Sequence, residues 1–540
     1  MFSHAFVAAL LSATATATTY PIINTTYGQL RGQASPYRDD VTEYLGIPYG
    51  ASTGGDNRWK APQTTSWEGV LNATAFGSNC ASPASDSASV LGNIYNTSSE
   101  DCLFLNIWTP SDTSAGNLPV YFWIYGGRFE GGDGAVPTYN GAGLASKDII
   151  VVTINYRLGA FGYLAHPDLS AESGHNASGN YGLLDQQLAL TWVYENIENF
   201  GGNASQITVG GQSAGSACAL DTIYSPLSRD MVAGVISESG ARTPKDPLIG
   251  SLASSYRTKA AAEADGVSFL ETMNVSSIAE LRNVSTEDLI AQGNLMDTTF
   301  DDTIYANLTS AFMDPPLWRP VIDGYVLPLG YGEALASNDH ADVPVLTGGN
   351  KDESGASTAP GFTLETFKSD FAEAFQNFST EFFELYPAAS DDDANNANNA
   401  LFDDLNRLSV WLWGQAWTAG GASSNVYGYY WYHTPAEDQD QGAYHGSELW
   451  YNFNNIPYAS YSNVTWNQTD YEIEAVMAQY WANFIKTGNP NGGNLSQWPA
   501  LTTETQEIMW LGDSFESSWL TEASNRTTFL ESWLDTLPSY

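Results

Sequence analysis

The chain is poor in positive charge, in cysteine and in histidine, and each shortage narrows what it can do. Its 540 residues carry 19 Lys and Arg against 61 Asp and Glu, a formal net charge of −42. Such a surface repels phosphate backbones and anionic lipid, which sets nucleic acid and charged membrane surfaces aside as partners. The excess of carboxylates serves solubility in an acidic medium, where protonation relieves self-repulsion. Beyond the N-terminus no apolar run approaches the ~18 residues needed to span a bilayer. No internal repeat and no Pro/Ser-rich linker divides the chain.

What is present begins with an export signal. Met1 to Ala17 run apolar and small, with Phe2, Phe6, Val7, Leu10 and Leu11 ahead of Ala13-Thr14-Ala15-Thr16-Ala17, so residues 1–17 read as a secretory signal cleaved after Ala17. A soluble, secreted mature protein is expected. Thirteen Asn-x-Ser/Thr sequons, at Asn24, Asn72, Asn96, Asn176, Asn203, Asn274, Asn283, Asn307, Asn377, Asn463, Asn467, Asn494 and Asn525, support export and glycosylation. Of the three cysteines, Cys80 and Cys102 bracket a Ser/Asn-rich stretch and form the natural disulfide in an oxidising compartment. Cys218 is left as a small buried thiol.

The stretch from Gln206 to Leu220 organises the rest. A short β-branched run gives way to Gly211-Gln212-Ser213-Ala214-Gly215 and then to small residues and an apolar helical start. Strand, sharp turn and helix make a nucleophile elbow with Ser213 at its apex. Glycines two positions either side leave room for that turn, and the N–H of Ala214 faces the serine oxygen at the positive end of the helix.

Nearly continuous apolar runs at Leu103 to Trp108, Pro119 to Tyr125 and Asp148 to Asn155 suit strands buried on both faces. Helical spacing from Leu183 to Ile197 separates the last of these from the elbow. Further strands are expected at Ala233 to Ser237, Pro344 to Asn350 and Val426 to Tyr432, the last being aromatic and final. Residues 255–315 read as helical, and Asp391 to Asn399 as a solvated loop or a helix start. The alternation predicts an α/β protein with a large, mostly parallel sheet.

A serine hydrolase of α/β type places its acid and then its histidine after the serine. His4 belongs to the signal, His166 and His175 precede Ser213, and His340 precedes the best acid. Of the remaining two, His433 ends the aromatic strand, where packing or hydrogen bonding is its role. His445 lies in the loop beyond, where such sites are assembled, and is the expected base. Glu353 stands just past a buried strand and is the expected acid, with Asp352 beside it pointing elsewhere.

At these residues the chain resembles the secreted fungal type-B carboxylesterases, within the carboxylesterase/cholinesterase family of the α/β-hydrolase fold. The matching motifs are Glu100-Asp101-Cys102-Leu103-Phe104-Leu105-Asn106, Asn155-Tyr156-Arg157-Leu158-Gly159, Gly179-Asn180-Tyr181-Gly182-Leu183-Leu184-Asp185-Gln186, Asn199-Phe200-Gly201-Gly202, the elbow, and Trp481-Ala482-Asn483-Phe484. They run from about Tyr27 to Phe484. The resemblance implies Ser213, Glu353 and His445 as nucleophile, acid and base, and Gly127, Arg128 and Ala214 as oxyanion-hole donors. It matches Cys80 and Cys102 to the family's first disulfide, whose loop borders or covers the entrance. It makes Ser239 a support of the acid and Gln212 a neighbour of the triad.

Two positions depart from the pattern. Gln212 replaces the usual Glu, removing a negative charge beside the histidine, which lowers the imidazole pKa. Arg128 replaces a Gly; its side chain either turns inward and narrows the pocket or turns out to pair with Glu130 or Asp133. Positions 213, 353 and 445 must converge, so residues 18–540 are expected to form one domain. The implied activity is ester hydrolysis through an acyl-serine on a small-molecule ester, with no metal or organic cofactor. An interfacial lipase or an acyltransferase would use the same serine, and a non-catalytic adhesion module would lack a triad residue; oligomeric state is left open.

Overall fold

The structure, a computed structural model, describes residues 20–83, 97–114, 116–251, 256–298, 301, 303–306, 308, 314–436, 440–458 and 465–539. The export signal and the sequons at Asn96, Asn307 and Asn463 lie outside the described residues.

One sheet of eleven described strands organises the chain. In chain order they are β1 (Gln33–Ala34), β2 (Val41–Pro48), β3 (Phe104–Pro110), β4 (Leu118–Ile124), β5 (Ile150–Ile154), β6 (Gly202–Gln212), β7 (Gly234–Glu238), β8 (Val345–Asn350), β9 (Val426–Trp431), β10 (Glu507–Leu511) and β11 (Phe515–Trp519). Their spatial order is β11-β10-β9-β8-β7-β6-β4-β5-β3-β2-β1. The middle, from β10 to β5, is parallel. Both margins are antiparallel.

The central strands are buried because helices cover the sheet. Every residue of β5, β7, β8 and β9 is buried. Among those helices are α1 (Tyr181–Asn196), α2 (Ala214–Tyr224), α3 (Lys259–Thr272), α4 (Thr286–Gly293), α5 (Asp391–Gly420) and α6 (Gln468–Thr487). α2 packs on β6 and β7, α5 on β8 and β9, and α6 on β4 and β6. A second core of Phe367, Phe371, Phe375, Phe382, Phe529 and Trp533 gathers around α5, away from the sheet's centre.

Three expectations change in detail, and one of two open readings is settled. β3 runs antiparallel to β5 because only residues 111–117 connect it to β4, too few for a parallel crossover. β10 and β11 form a hairpin beyond the aromatic strand that was expected to be last. Helix in the 255–315 region stops at Gly293, and the described residues after it form no further helix there. Asp391 starts a 30-residue helix: Ser390 caps it by accepting the Asp393 N–H, and three aspartates complement the dipole of its first turn.

Candidate active site

The parallel register brings the ends of β4, β6, β8 and β9 to one edge of the sheet, where open α/β sheets assemble their sites. Gly211 lies opposite Ile124 of β4 and Ser237 of β7, which fixes where the elbow emerges. A β-carbon on Gly211 would strike the carbonyl of Gly215, and one on Gly215 the carbonyl of Ile124, so both positions require glycine.

Ser213 takes φ 60° and ψ −124°, a conformation that costs a non-glycine residue on the order of 1–3 kcal/mol. Two anchors hold it there: its N–H donates to the Glu238 carbonyl at 2.8 Å, and α2 starts at the next residue. As the first residue of α2, Ala214 has an N–H with no intrahelical acceptor. Beyond β4 the chain turns at Gly127 (φ 103°) and Arg128 (φ 58°). The N–H groups of Gly127, Arg128 and Ala214 donate to no group among the described residues.

The Arg128 side chain adopts the paired arrangement. Nη2 donates to the Asp314 carbonyl at 2.7 Å, and Nε lies 3.5 Å from Glu130 Oε2. The side chain keeps 31% of its surface exposed.

Three residues past β8, Glu353 is buried with Oε2 at 2.5 Å from His445 Nδ1 and Oε1 accepting the Asn350 N–H at 2.8 Å. Burial alone would raise its pKa. The charge and hydrogen bond of His445, the Asn350 N–H and the Arg242 charge outweigh burial and hold it below the ordinary carboxyl value. His445 sits in a recess: its side chain is 44% exposed, while Nδ1 presses on a carboxylate that is 2% exposed. Desolvation opposes charge on this ring, but Glu353, by charge and hydrogen bond, and then Glu448, by charge, raise its pKa above the usual histidine value. The charge removed at position 212 is thus outweighed by other carboxylates.

One expected support differs. The Ser239 hydroxyl is buried without a hydrogen bond among the described residues, so it does not hold Glu353; Ser239 contributes through its N–H, which donates to the Gly348 carbonyl at 2.9 Å. Gln212 stands beside the histidine as expected: its Nε2 lies 2.9 Å from His445 Nε2. His433 stands apart from these groups, with Nδ1 2.7 Å from Asp513 and Nε2 3.0 Å from Asp470. Cys80 and Cys102 are joined, and Cys218 is free and buried.

Two residues to which sequence reasoning gave no role fix the loop that carries His445. Asp352 pairs with the histidine loop: its N–H donates to the Ala443 carbonyl at 3.1 Å, and its carboxylate accepts the Ala443 N–H at 2.7 Å. Asn350 reaches the same loop through Nδ2, which donates to the Tyr444 carbonyl at 2.8 Å and to Glu448 at 2.5 Å. The one available signal was their place at the end of a buried strand beside Glu353. A separate cavity of about 350 Å³, lined by Trp59, Lys60, His175, Tyr181, Asp323 and Tyr325 among others, contains none of the converging residues. Among the described residues, no helix is long and apolar enough to cross a membrane.

Comparison with known proteins agrees over nearly the whole length. Residues 19–529 match the Carboxylesterase family profile. Fumonisin B1 esterase of Sphingopyxis macrogoltabida is 34% identical over 497 residues, covering 90% of this chain and 86% of its own. Para-nitrobenzyl esterase of Bacillus subtilis (strain 168) is 31% identical over 507 residues, covering 91% and 95%. A solved PNB esterase structure superposes with a TM-score of 0.77 at 28% identity, covering 95% of this chain and 99% of that one.

Proposed function

This chain belongs to the carboxylesterase family and has its α/β-hydrolase fold, and from that premise we propose that it hydrolyses carboxylic esters through Ser213, His445 and Glu353. The observation that carries the assignment is the 2.5 Å contact between His445 and Glu353, residues 92 apart in sequence, on a ring whose other nitrogen meets the residue preceding Ser213.

In this reading, Glu353 holds the proton of His445 on Nδ1, which leaves the Nε2 lone pair as base. As Ser213 Oγ attacks the ester carbonyl, its proton passes to Nε2. The carbonyl oxygen becomes an oxyanion facing the N–H groups of Gly127, Arg128 and Ala214, which are already uncovered and need no rearrangement. The imidazolium returns the proton to the leaving alcohol. Water then repeats the sequence on the acyl-serine, the carboxylic acid leaves, and Ser213 recovers its proton.

The names of the relatives point to different esters, fumonisin B1 and para-nitrobenzyl among them, so the proposal extends to the carboxylic ester class. Secretion belongs to it too, in keeping with the fungal branch that the motifs resemble. The support is the signal-like Met1 to Ala17, one disulfide, and ten described sequon asparagines of which none is buried. N-terminal sequencing and glycosidase treatment of exported protein test that part.

The catalytic part is tested with p-nitrophenyl esters of rising chain length, with and without an alcohol acceptor, on wild type and Ser213→Ala. Hydrolysis by the wild type and a loss on the order of 10⁴-fold or more in the variant are expected. Ester formation overtaking hydrolysis would make the chain an acyltransferase.

A further inference from the structure

Gln212 makes the one hydrogen bond that His445 Nε2 has among the described residues, and Ser213 Oγ makes none. The contact is built in. Gln212 is buried as the last residue of β6, its backbone fixed opposite Glu238, and its Oε1 lies beside Gly126, where a β-carbon would come within 3.2 Å of it. Among the described residues the amide has no hydrogen-bond partner other than the ring.

The tautomer follows from the partners. Nδ1 faces a carboxylate and carries the proton, so Nε2 of the neutral ring presents a lone pair and Gln212 Nε2–H₂ is the donor. When the ring takes up the Ser213 proton, Nε2 becomes a donor and the amide can serve it only by turning over to offer Oε1. A glutamate at this position accepts but never donates; it would favour the imidazolium and leave the neutral ring's lone pair unmatched.

We propose that Gln212 is a positioning residue of the proposed triad: it caps the Nε2 lone pair of the resting base and yields it when Ser213 is deprotonated, keeping His445 neutral to lower pH than a carboxylate there would allow. The inference rests on the triad reading above. The charged groups that act on the ring are Glu353 after β8 and Glu448 after the histidine loop; behind them Glu238 at the end of β7 interacts with Glu448, and the Arg242 charge acts on Glu353. All four remain in place when position 212 alone is changed, so a shift in the profile reports on that side chain. For a protein with a net charge of −42, whose setting is read above as acidic, a base that stays neutral further into acid extends the working range.

The test is the pH profile of kcat/KM for wild type, Gln212→Glu and Gln212→Leu, with His445→Ala as control and thermal melting to check folding. Gln212→Glu is expected to move the acid limb up by about one pH unit, because an anion within hydrogen-bonding reach of the ring favours its charged form. Gln212→Leu removes the donor and is expected to move it up by less, through loss of the bond to the neutral ring alone. Should Gln212→Glu fail to fold, Gln212→Leu carries the decision. An acid limb unmoved in every folded variant, with His445→Ala inactive, overturns the Gln212 inference and leaves the triad standing. Substantial activity in His445→Ala overturns the triad and the inference with it.

Discussion

Replacing Glu353 by glutamine separates charge from shape at the acid and has a consequence that can be worked from the hydrogen bonds. Oε1 accepts the Asn350 N–H at 2.8 Å, a fixed backbone donor, and Oε2 meets His445 Nδ1 at 2.5 Å. In Glu353→Gln the amide oxygen must stay with Asn350, since an NH₂ there would face another donor. The NH₂ then faces Nδ1 and forces it to accept, which moves the ring proton to Nε2. A base with its proton on Nε2 cannot take one from Ser213. The expected loss is about 10³ to 10⁴ in kcat, equivalent to about 4 to 5 kcal/mol of transition-state stabilisation. KM should change little, because Glu353 is buried away from substrate. The assay is steady-state hydrolysis of a p-nitrophenyl ester, with circular dichroism and a melting curve to confirm the fold. A well-folded Glu353→Gln enzyme within tenfold of wild-type kcat would refute the tautomer argument and the role of Glu353.

Further expectations concern the residues around this centre. His445→Ala should cost nearly as much activity as loss of Ser213, since triad members act as a unit, whereas His433→Ala should spare kcat and lower stability by roughly 1–3 kcal/mol, because it leaves the buried Asp470 carboxylate without its histidine hydrogen bond; exchanged phenotypes would make His433 the base. His433 has a raised pKa: desolvation lowers it, but the hydrogen bonds and charges of Asp470 and Asp513 prevail. Its contribution to stability is therefore complete below the unfolded histidine value and is lost as pH rises through the raised folded value, and melting of wild type against His433→Ala from acid to neutral pH checks this. The raised pKa of His445 predicts that kcat/KM falls as acid crosses that value, and a rate independent of acid pH would contradict it. Removing the Cys80–Cys102 bond, which closes a 22-residue separation, should cost about 3 kcal/mol of stability, read from a melting curve of Cys80→Ala/Cys102→Ala. Arg128→Gly should leave the kcat/KM ratio of tert-butyl to ethyl esters unchanged, because the guanidinium is engaged with Asp314 and Glu130; a relaxed ratio would show that it crowds the alcohol side.

The sequence was most readable where local geometry admits few residues. The elbow was legible because glycine alone avoids the carbonyls met at positions 211 and 215. Central strands were legible because burial on both faces leaves a nearly unbroken apolar run, as in β4 and β5. In the hairpin the run is short, Ile508 to Leu511 of β10, and the edge strand β11 buries none of its residues fully. The reversed direction of β3 was hidden because its apolar pattern is the same either way, and only the short link to β4 encodes it. Around the site, chain order and strand ends pointed to Glu353 and His445. The roles of Asp352 and Asn350 depend on how two segments 91 and 94 residues apart meet, which periodicity does not record. Ser239 was misread as a side-chain support because resemblance transfers a residue's identity and not the direction of its hydroxyl.

The central claim is that an acyl group passes through Ser213. Wild-type enzyme quenched in acid during turnover of a slowly deacylating p-nitrophenyl ester, then digested and mapped by mass spectrometry, should carry the acyl mass on the peptide containing Gly211-Gln212-Ser213-Ala214-Gly215, located at Ser213 by fragmentation. Gln212→Glu should carry the same adduct, and Ser213→Ala none. An acyl group on another residue, or turnover by Ser213→Ala at a tenth of the wild-type rate or more, would contradict the account.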